Sequence, residues 1–346
     1  MTQGPILHIF NWDRKFFFPY RALIRRYFQP GQHRFIVHGN PGADYEVAAA
    51  DTVAYSRSFT NFPAISRAMA GADKVILHGL FDIRLYYILS PQPWLLRKCY
   101  WNIWGGDLYI HQAGFRGWRF RKDEFLRRWV IGRIGHVVSC VKGDYELARQ
   151  WYGSKAQFHR CIMYPSNLFS GTPREQNHTG PVNIQVGNSA DPSNNHMEVL
   201  EKLRDQHCQD FNLFVPLSYG NKTYAAAVIE AGIEMFGNRF FPMTEFMQLE
   251  QYLDFLEKID IAIFAHRRQQ GMGNLINLLG LGKKIFMRRD ITTWTLFADL
   301  GIRVHDIEQM ELTRLEDQVR RANQTRVSDY FTERRLCEQW AEIFAS

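Results

Sequence analysis

The chain has 346 residues, of which 46% are apolar and 22% charged, a composition that excludes an intrinsically disordered protein. Its net charge of +7 favours an anionic partner, such as a phosphorylated metabolite, an acidic membrane surface or a nucleic acid. Five scattered cysteines without a CxxC pair exclude a zinc ribbon and a disulfide framework, and they indicate a reducing compartment.

Short apolar runs alternate with helical patterns in the first half of the chain. Most of these runs stop at a glycine or a polar turn, as strands do. The runs lie at residues 5–10, 34–39, 74–80, 99–105 and 136–141. Because strands that alternate with helices form parallel sheets, residues 1–170 are predicted to be an α/β domain of the Rossmann type.

A polar stretch at residues 170–180 is predicted to be a linker, and the same alternation restarts after it. The apolar runs of the second half lie at residues 182–187, 212–218, 259–266, 283–289 and 302–306. Residues 181–346 are therefore predicted to be a second Rossmann-like domain, whose last helix is a candidate to pack back on the first. Neither a signal segment nor a spanning apolar run is recognised, so a cytoplasmic chain is expected.

Two polar, glycine-containing loops of the second half are candidates for an anion site. "VGNSADPSNNH", residues 186–196, follows an apolar run and presents eight small or hydrogen-bonding residues, more than a plain turn requires. "HRRQQGMGN", residues 266–274, adds two arginines and two glycines before a helix. Ligands of parallel sheets bind beyond the carboxyl ends of the strands, where helix N-termini favour anions. Helix capping and a tight turn are the structural alternatives.

Two strand ends of the first half carry candidate catalytic groups. "WNIWGGDLY", residues 101–109, places Asp107 after a Gly-Gly bend, and "HGLF", residues 78–81, ends a strand with His78. The alternatives are a helix-capping aspartate and a structural histidine. No Asp-x-Asp, HExxH or GxSxG sequence is present, so a metal-diphosphate clamp and the common hydrolase motifs are not indicated.

Basic and aromatic residues mix in two segments, residues 11–28 and 115–133. Such a mixture suits an interfacial contact with an anionic membrane, with cations on lipid phosphates and rings among the headgroups. It is also compatible with stacking on single-stranded nucleic acid, or with core rings beside solvated charges.

Taken together, "HGLF", "WNIWGGDLY", "VGNSADPSNNH", "VPLSYGN" and "RRQQGMGN" resemble the motifs of the 4-acetamido-4,6-dideoxygalactose transferases of enterobacterial common antigen synthesis, glycosyltransferase family 56. The resemblance implies a GT-B enzyme, with two Rossmann-like domains facing each other across a cleft. It implies transfer of a dTDP-linked amino sugar to a polyprenyl-diphosphate-linked glycan by a protein peripherally associated with the inner membrane. The first and last seventy residues show little that matches, so the identity of both sugars stays open.

The resemblance also implies roles for individual residues. The nucleotide-sugar donor would bind the second domain without a metal or other cofactor. The implied donor-binding residues are Gly187, Asn188, Ser189, Asp191, Ser193, Asn194, His196, Pro216, Tyr219, Arg268, Gln269, Gln270, Gly271, Gly273 and Asn274. The glycan acceptor would bind the first domain, with Asp107 as catalytic base and His78 as its alternative.

Acceptor and membrane contacts are expected in the first domain as well, and nucleic acid is not expected as a partner. The motifs contribute Trp104 and Tyr109 to this set. The two basic-aromatic segments contribute the other expected residues, which are Arg14, Phe17, Phe18, Arg25, Trp118, Arg121 and Trp129. Two alternatives are left open by the residues: a GT-B enzyme with another donor and acceptor, and a non-catalytic membrane- or nucleic-acid-binding protein on the same frame.

Overall fold

The computed structural model describes residues 4–39, 49–112, 117–172, 180–206 and 210–346. The chain divides into two compact units. Unit 1 consists of Met1–Asn167 and Glu333–Ser346, and unit 2 of Leu168–Thr332. Most of the predicted linker, residues 173–179, and the first two residues of the second basic segment, 115 and 116, lie outside the described residues.

Unit 1 is built on a parallel sheet of seven described strands, arranged in the order β3-β2-β1-β4-β5-β6-β7. The strands are β1 (Ile6–Asn11), β2 (His33–His38), β3 (Thr52–Tyr55), β4 (Lys74–His78), β5 (Cys99–Asn102), β6 (His136–Ser139) and β7 (Gln157–Arg160). The strand order reverses between β1 and β4. Parallel sheets bind ligands at such a switch point, beyond the carboxyl ends of the strands.

The helices of unit 1 cover both faces of this sheet, which explains why β1 is buried along its whole length. They are α1 (Arg14–Tyr27), α2 (Phe62–Ala70), α3 (Ile83–Leu89), α4 (Pro93–Leu96), α5 (Gly106–Tyr109), α6 (Trp118–Ile131), α7 (Lys142–Tyr152) and α14 (Glu333–Ala345). Helix α14 comes from the far end of the sequence, and its Trp340 indole donates a 3.1 Å hydrogen bond to the carbonyl of Met163.

Unit 2 contains six described parallel strands in the order β10-β9-β8-β11-β12-β13, so its switch point lies between β8 and β11. The strands are β8 (Val182–Val186), β9 (Phe211–Pro216), β10 (Phe240–Met243), β11 (Ile261–Phe264), β12 (Lys284–Met287) and β13 (His305–Asp306). The helices are α8 (His196–Arg204), α9 (Lys222–Phe236), α10 (Leu249–Glu257), α11 (Met272–Gly280), α12 (Thr292–Asp299) and α13 (Asp317–Tyr330).

The predicted Rossmann-like class is confirmed in both units. Each apolar run in the prediction overlaps a strand, whereas β3, β7 and β10 have no counterpart among the predicted runs. All three are edge strands of their sheets. Among the described residues, no helix combines the length and the apolar character needed to cross a membrane.

Candidate active site

The polar loop after β8 begins at a glycine whose conformation other residues rarely adopt. Gly187 has a φ of +66°, and a Cβ added to it would lie 2.5 Å from Nε2 of His196 and 2.8 Å from Oδ1 of Asn194. Any larger residue would displace both side chains. The glycine therefore allows the backbone at the end of β8 to pass directly over these two polar groups.

Asn194 holds the loop together from its centre. Its Oδ1 accepts hydrogen bonds from the backbone N–H of Asn188 at 2.9 Å and from Nε2 of His266 at 2.8 Å. Its amide nitrogen donates to Oγ of Ser189 at 3.2 Å and to the carbonyl of Asp191 at 3.0 Å. Much of the polar character of this stretch thus serves to build the loop and to attach it to the loop after β11.

Ser193 makes the second connection between the two loops. Its hydroxyl lies 2.5 Å from Oδ1 of Asp191 and 2.7 Å from Oε1 of Gln270. Its backbone N–H also donates to Oδ1 of Asp191, at 2.8 Å. Burial acts to raise the pKa of Asp191, but these bonds and the charge of Arg268 outweigh it and hold the pKa below its ordinary value. Asp191 is therefore an ionised acceptor at neutral pH.

His196 places Nε2 of its ring beside the Gly187 bend. The Tyr224 hydroxyl accepts from the backbone N–H of His196 at 3.1 Å and lies 3.2 Å from Nδ1 of its ring. When the Tyr224 hydroxyl donates its proton to Nδ1, the imidazole hydrogen lies on Nε2. That nitrogen is buried and has no partner among the described residues. Burial lowers the pKa of His196 to about 4, so at neutral pH the ring is a neutral donor.

Helix α11 begins beside this donor. Gly271 has a φ of +66°, and a Cβ there would lie 3.4 Å from Nδ2 of Asn188, so the helix N-terminus lies next to the end of β8. The half-buried Arg268 contributes, after burial, to lowering the pKa of His266 to about 3. Its positive charge therefore lies near the same loop.

The other donor candidates surround this point. Asn188 Nδ2 lies 3.5 Å from the hydroxyl of Tyr219, which is 53% exposed and follows Pro216 at the end of β9. Gln269 is buried, and Gly273 and Asn274 belong to the first turn of α11. The structure thus brings together the residues predicted to bind the donor, on the loops after β8, β9 and β11. Among the described residues, no cluster of histidine, cysteine or carboxylate groups could hold a metal ion.

In unit 1, Asp107 is 1% exposed. Its Oδ2 accepts from the backbone N–H of Leu80 at 2.9 Å and from the indole of Trp101 at 2.7 Å. Its Oδ1 accepts from the backbone N–H groups of Trp104 at 3.0 Å and Leu108 at 3.1 Å. Both oxygens are fully occupied and buried. This geometry corrects the predicted role: Asp107 ties two loops together and offers no free lone pair to an acceptor hydroxyl.

His78 is also fully buried. Its Nδ1 lies 2.7 Å from the Tyr164 hydroxyl, and its Nε2 lies 3.2 Å from Nδ1 of His8. Nε2 of His8 lies in turn 3.0 Å from Nδ1 of His33. Both ring nitrogens of His78 are engaged, so a role as the alternative base is corrected in the same way. The patterns of the sequence identified His78 but not His8, His33 or Tyr164.

A comparison with protein families identifies the family of the chain. The family described as 4-alpha-L-fucosyltransferase, glycosyl transferase group 56, matches residues 16–346. The chain belongs to glycosyltransferase family 56. It is therefore a glycosyltransferase acting on a nucleotide sugar, as the motifs predicted, and the non-catalytic alternative is excluded.

Solved structures show that this family 56 enzyme has the GT-B fold. HepE from Anabaena, in complex with UDP and glucose, is 11% identical and has a TM-score of 0.70, with 99% of this chain and 100% of that chain covered. A glycosyltransferase from Rickettsia africae is 12% identical, with a TM-score of 0.66 and coverages of 99% and 98%. WaaG, a glycosyltransferase involved in lipopolysaccharide biosynthesis, is 13% identical, with a TM-score of 0.57 and coverages of 99% and 100%.

The residues of the family 56 enzyme that were predicted to meet the acceptor or a membrane have different environments. Phe17 is fully buried, and Arg25 forms a two-point ion pair with Asp51 at 2.6 and 2.8 Å. A membrane contact is thus wrong for Phe17, and Arg25 already has a partner. Four of the other residues are half-buried: Phe18, Trp104, Tyr109 and Trp129. The remaining three, Arg14, Trp118 and Arg121, are exposed.

Proposed function

We propose that this family 56 enzyme transfers a dTDP-linked 4-acetamido-4,6-dideoxygalactose, or a close analogue, to a polyprenyl-diphosphate-linked glycan at a membrane surface, without a metal ion. The observation that carries the donor site is the convergence of two loops and a helix N-terminus at the switch point of unit 2. The choice of sugar rests on the ordered motifs. HepE bound to UDP and glucose, and WaaG with its role in lipopolysaccharide biosynthesis, support nucleotide-sugar transfer to a glycan of this general kind.

The donor diphosphate would lie over Gly187, where backbone and side-chain donors face one point. The N-terminus of α11 supplies N–H groups and a partial positive charge, His196 supplies its Nε2–H, and Arg268 supplies a full charge. When the sugar–phosphate bond breaks, negative charge builds up on the nucleoside diphosphate. Preorganised donors at that position stabilise the charge as it develops, which is the role that a divalent cation would otherwise fill.

Replacing Arg268 by alanine is expected to weaken dTDP binding by about 1.5–3 kcal/mol, the range for hydrogen bonds to charged groups. Titration calorimetry of the folded variant with dTDP measures this loss. The matched control is Arg267→Ala, because Arg267 is the neighbouring arginine, is 73% exposed and lies 3.8 Å from Glu198. Equal affinities of wild type and Arg268→Ala would place the diphosphate elsewhere.

Transfer is expected to continue at an unchanged rate in excess EDTA, because the proposed site neutralises the leaving group with Arg268 and a helix N-terminus. The assay compares initial rates of sugar transfer before and after chelation. Loss of activity that magnesium or manganese restores would contradict the proposal of a metal-independent reaction.

Helix α6 carries the surface that best suits a membrane. In unit 1, Trp118 is 69% and Phe125 is 66% exposed on this helix, two turns apart. Exposed cations accompany these two rings: Arg119, Arg121, Lys122 and Arg128. Rings and cations presented on one short helix match an interfacial contact with anionic lipid. The proposed membrane surface therefore lies on α6 and not on α1, where Phe17 is buried.

Binding to anionic vesicles is expected to fall when Trp118 is replaced by alanine and Arg121 by glutamate, since each basic residue near such a surface contributes about 1 kcal/mol. Co-sedimentation with phosphatidylglycerol vesicles at low and high salt measures the change, and salt should weaken binding by the wild type. Arg334→Glu is the control, because Arg334 is an 86% exposed side chain of unit 1 on a different helix. Binding that is insensitive to both substitutions and to salt would exclude this surface.

A further inference from the structure

Three aromatic rings meet beyond the carboxyl ends of β1, β4 and β5 in unit 1. The ring of Trp104 lies 4.5 Å from that of Phe16 and 5.7 Å from that of Phe81, measured between centroids. Phe81 is 43% exposed, and the other two are half-buried. We call these three rings the aromatic shelf. It lies at the switch point of the sheet, where a parallel α/β unit binds its ligand.

The backbone beneath the shelf is shaped to bring the rings together. Gly79 has a φ of +79°, and a Cβ at this position would lie 2.6 Å from the ring of Phe81 and 3.5 Å from that of Trp104. Asp107 accepts from the N–H of Leu80 and from the N–H of Trp104. One buried carboxylate therefore connects the two loops that carry Phe81 and Trp104.

A directional chain of hydrogen bonds fixes the plane of the Trp104 indole. The indole N–H donates to the Tyr164 hydroxyl at 2.7 Å. Nδ2 of Asn102, which can only donate, lies 3.2 Å from Nδ1 of His78, so this nitrogen is an acceptor. Nε2 of His78 then donates to His8, and Nε2 of His8 donates to His33. Each bond sets the tautomer of the next ring. The chain starts at the half-buried ring of Trp104 and runs into the core of unit 1.

Two buried amide oxygens adjoin this arrangement without a partner among the described residues. Oδ1 of Asn11 belongs to the last residue of β1, and Oδ1 of Asn102 to the last residue of β5. Nδ2 of Asn102 lies 3.5 Å from the Tyr164 hydroxyl, which places this amide beside the chain. Nδ2 of Asn11 donates to the carbonyl of Gly79 at 3.4 Å, which places this amide beside the shelf. A buried acceptor without a donor is unfavourable, so both oxygens are suited to accept hydrogen bonds from a ligand.

We propose that the aromatic shelf and the amide oxygens of Asn11 and Asn102 bind one sugar ring of the acceptor glycan. The rings would contact the apolar C–H face of the sugar, while the two oxygens accept hydrogen bonds from its hydroxyl groups. In small-molecule sites, a small number of polar groups within an apolar surface fixes the orientation of the ligand. A polyprenyl chain would cover the rings but leave both amide oxygens unpaired, which favours the sugar. This inference rests on the proposed function, because it requires a glycan acceptor.

The test measures binding and turnover in the same set of variants. Phe81→Ala is expected to raise the KM for a short-chain prenyl-diphosphate-linked glycan about tenfold and to leave dTDP affinity within twofold of the wild type. Phe59→Ala is its control, because Phe59 is a 60% exposed phenylalanine of the same unit. Inhibition by the prenyl diphosphate without its glycan should be equal in all three proteins.

Tyr164 is a positioning residue in this scheme. Tyr164→Phe keeps the ring and removes the hydroxyl that accepts from Trp104, so we expect a severalfold rise in acceptor KM with kcat less affected. Tyr152→Phe is the matched control, because Tyr152 is a buried tyrosine whose hydroxyl has no partner among the described residues. A purely structural role for the Tyr164 hydroxyl would lower stability and leave KM unchanged.

Saturation-transfer NMR with the free glycan separates this inference from the proposed function, because it requires no turnover. Signals from the glycan that appear with wild type and disappear with Phe81→Ala support the shelf even if no transfer to a lipid-linked acceptor is found. Unchanged signals and an unchanged KM in Phe81→Ala and Trp104→Ala would overturn it. Weaker inhibition of Phe81→Ala by the glycan-free prenyl diphosphate would overturn it as well, in favour of lipid.

Discussion

Asp107→Asn is expected to lower the free energy of unfolding of unit 1 by about 2–6 kcal/mol, because two buried N–H donors lose their acceptor at about 1–3 kcal/mol each. The carboxylate receives four N–H donors on two oxygens. Asparagine presents one oxygen and one NH₂ group, so in either orientation two N–H donors face another donor. Activity should fall together with stability, because the two loops that carry Phe81 and Trp104 lose their connection.

Urea unfolding followed by tryptophan fluorescence measures this effect, since eight of the nine tryptophans lie in unit 1. Asp73→Asn is the control, because Asp73 is exposed and accepts a single bond from the N–H of Gly4 at 2.9 Å. A variant at Asp107 that is as stable as the wild type but inactive would contradict the structural role and restore the original prediction of a catalytic base.

Acidification from pH 7 to pH 5 is expected to destabilise unit 1 by several kcal/mol. Burial lowers the pKa of His33 to about 4, and it also lowers the pKa values of His8 and His78. The unfolded chain, with a histidine pKa near 6.5, therefore binds more protons than the folded unit below that pH. The contribution of these neutral histidines to the free energy of unfolding is fully present above pH 6.5 and is lost as the pH falls toward 4. His33 alone accounts for a loss of about 2 kcal/mol at pH 5.

The measurement is again urea unfolding followed by tryptophan fluorescence, at pH 8, 7 and 5. The free energies of unfolding at pH 8 and pH 7 should differ little, because these histidines are mostly neutral in both the folded and the unfolded chain at either pH. His33→Phe should reduce the difference between pH 7 and pH 5, since one of the titrating rings is removed. Equal stability of the wild type at pH 7 and pH 5 would show that these histidines are not held neutral by the fold.

The sequence predicted the strands of the sheet centres, whereas three of the four described edge strands, β3, β7 and β10, have no predicted apolar run. Central strands such as β1 and β11 are buried on every residue, so they form continuous apolar runs. The edge strand β7 has the sequence QFHR, with no fully buried residue, and β10 contains Pro242. An edge strand is covered on fewer sides and can be polar or carry a proline, so an apolar run does not mark it.

Site features that lie within one segment of sequence could be predicted, whereas contacts between distant segments could not. The donor loops are short stretches of sequence with recognisable composition, so their position at strand ends could be predicted. The environment of Asp107 could not, because its four donors come from the loop after β4, from β5 itself and from the segment that leads from β5 into α5. The chain from Trp104 to His33 joins β1, β2, β4 and residue 164, and no pattern within one segment reveals such a contact.

Helix α14 belongs to unit 1 but is synthesised after all of unit 2, so the two units cannot fold strictly in sequence order. Phe344 lies 4.7 Å from the ring of His33 and 5.9 Å from that of His8, and Trp340 lies 6.3 Å from that of His78, so this helix packs on the three connected histidines. Residues 168–332 leave the ribosome before α14 does. Unit 2 can complete its core while unit 1 still exposes an apolar surface, although domains commonly fold in order from the N-terminus. The core of unit 1 is thus completed only by the last segment of the sequence to be synthesised.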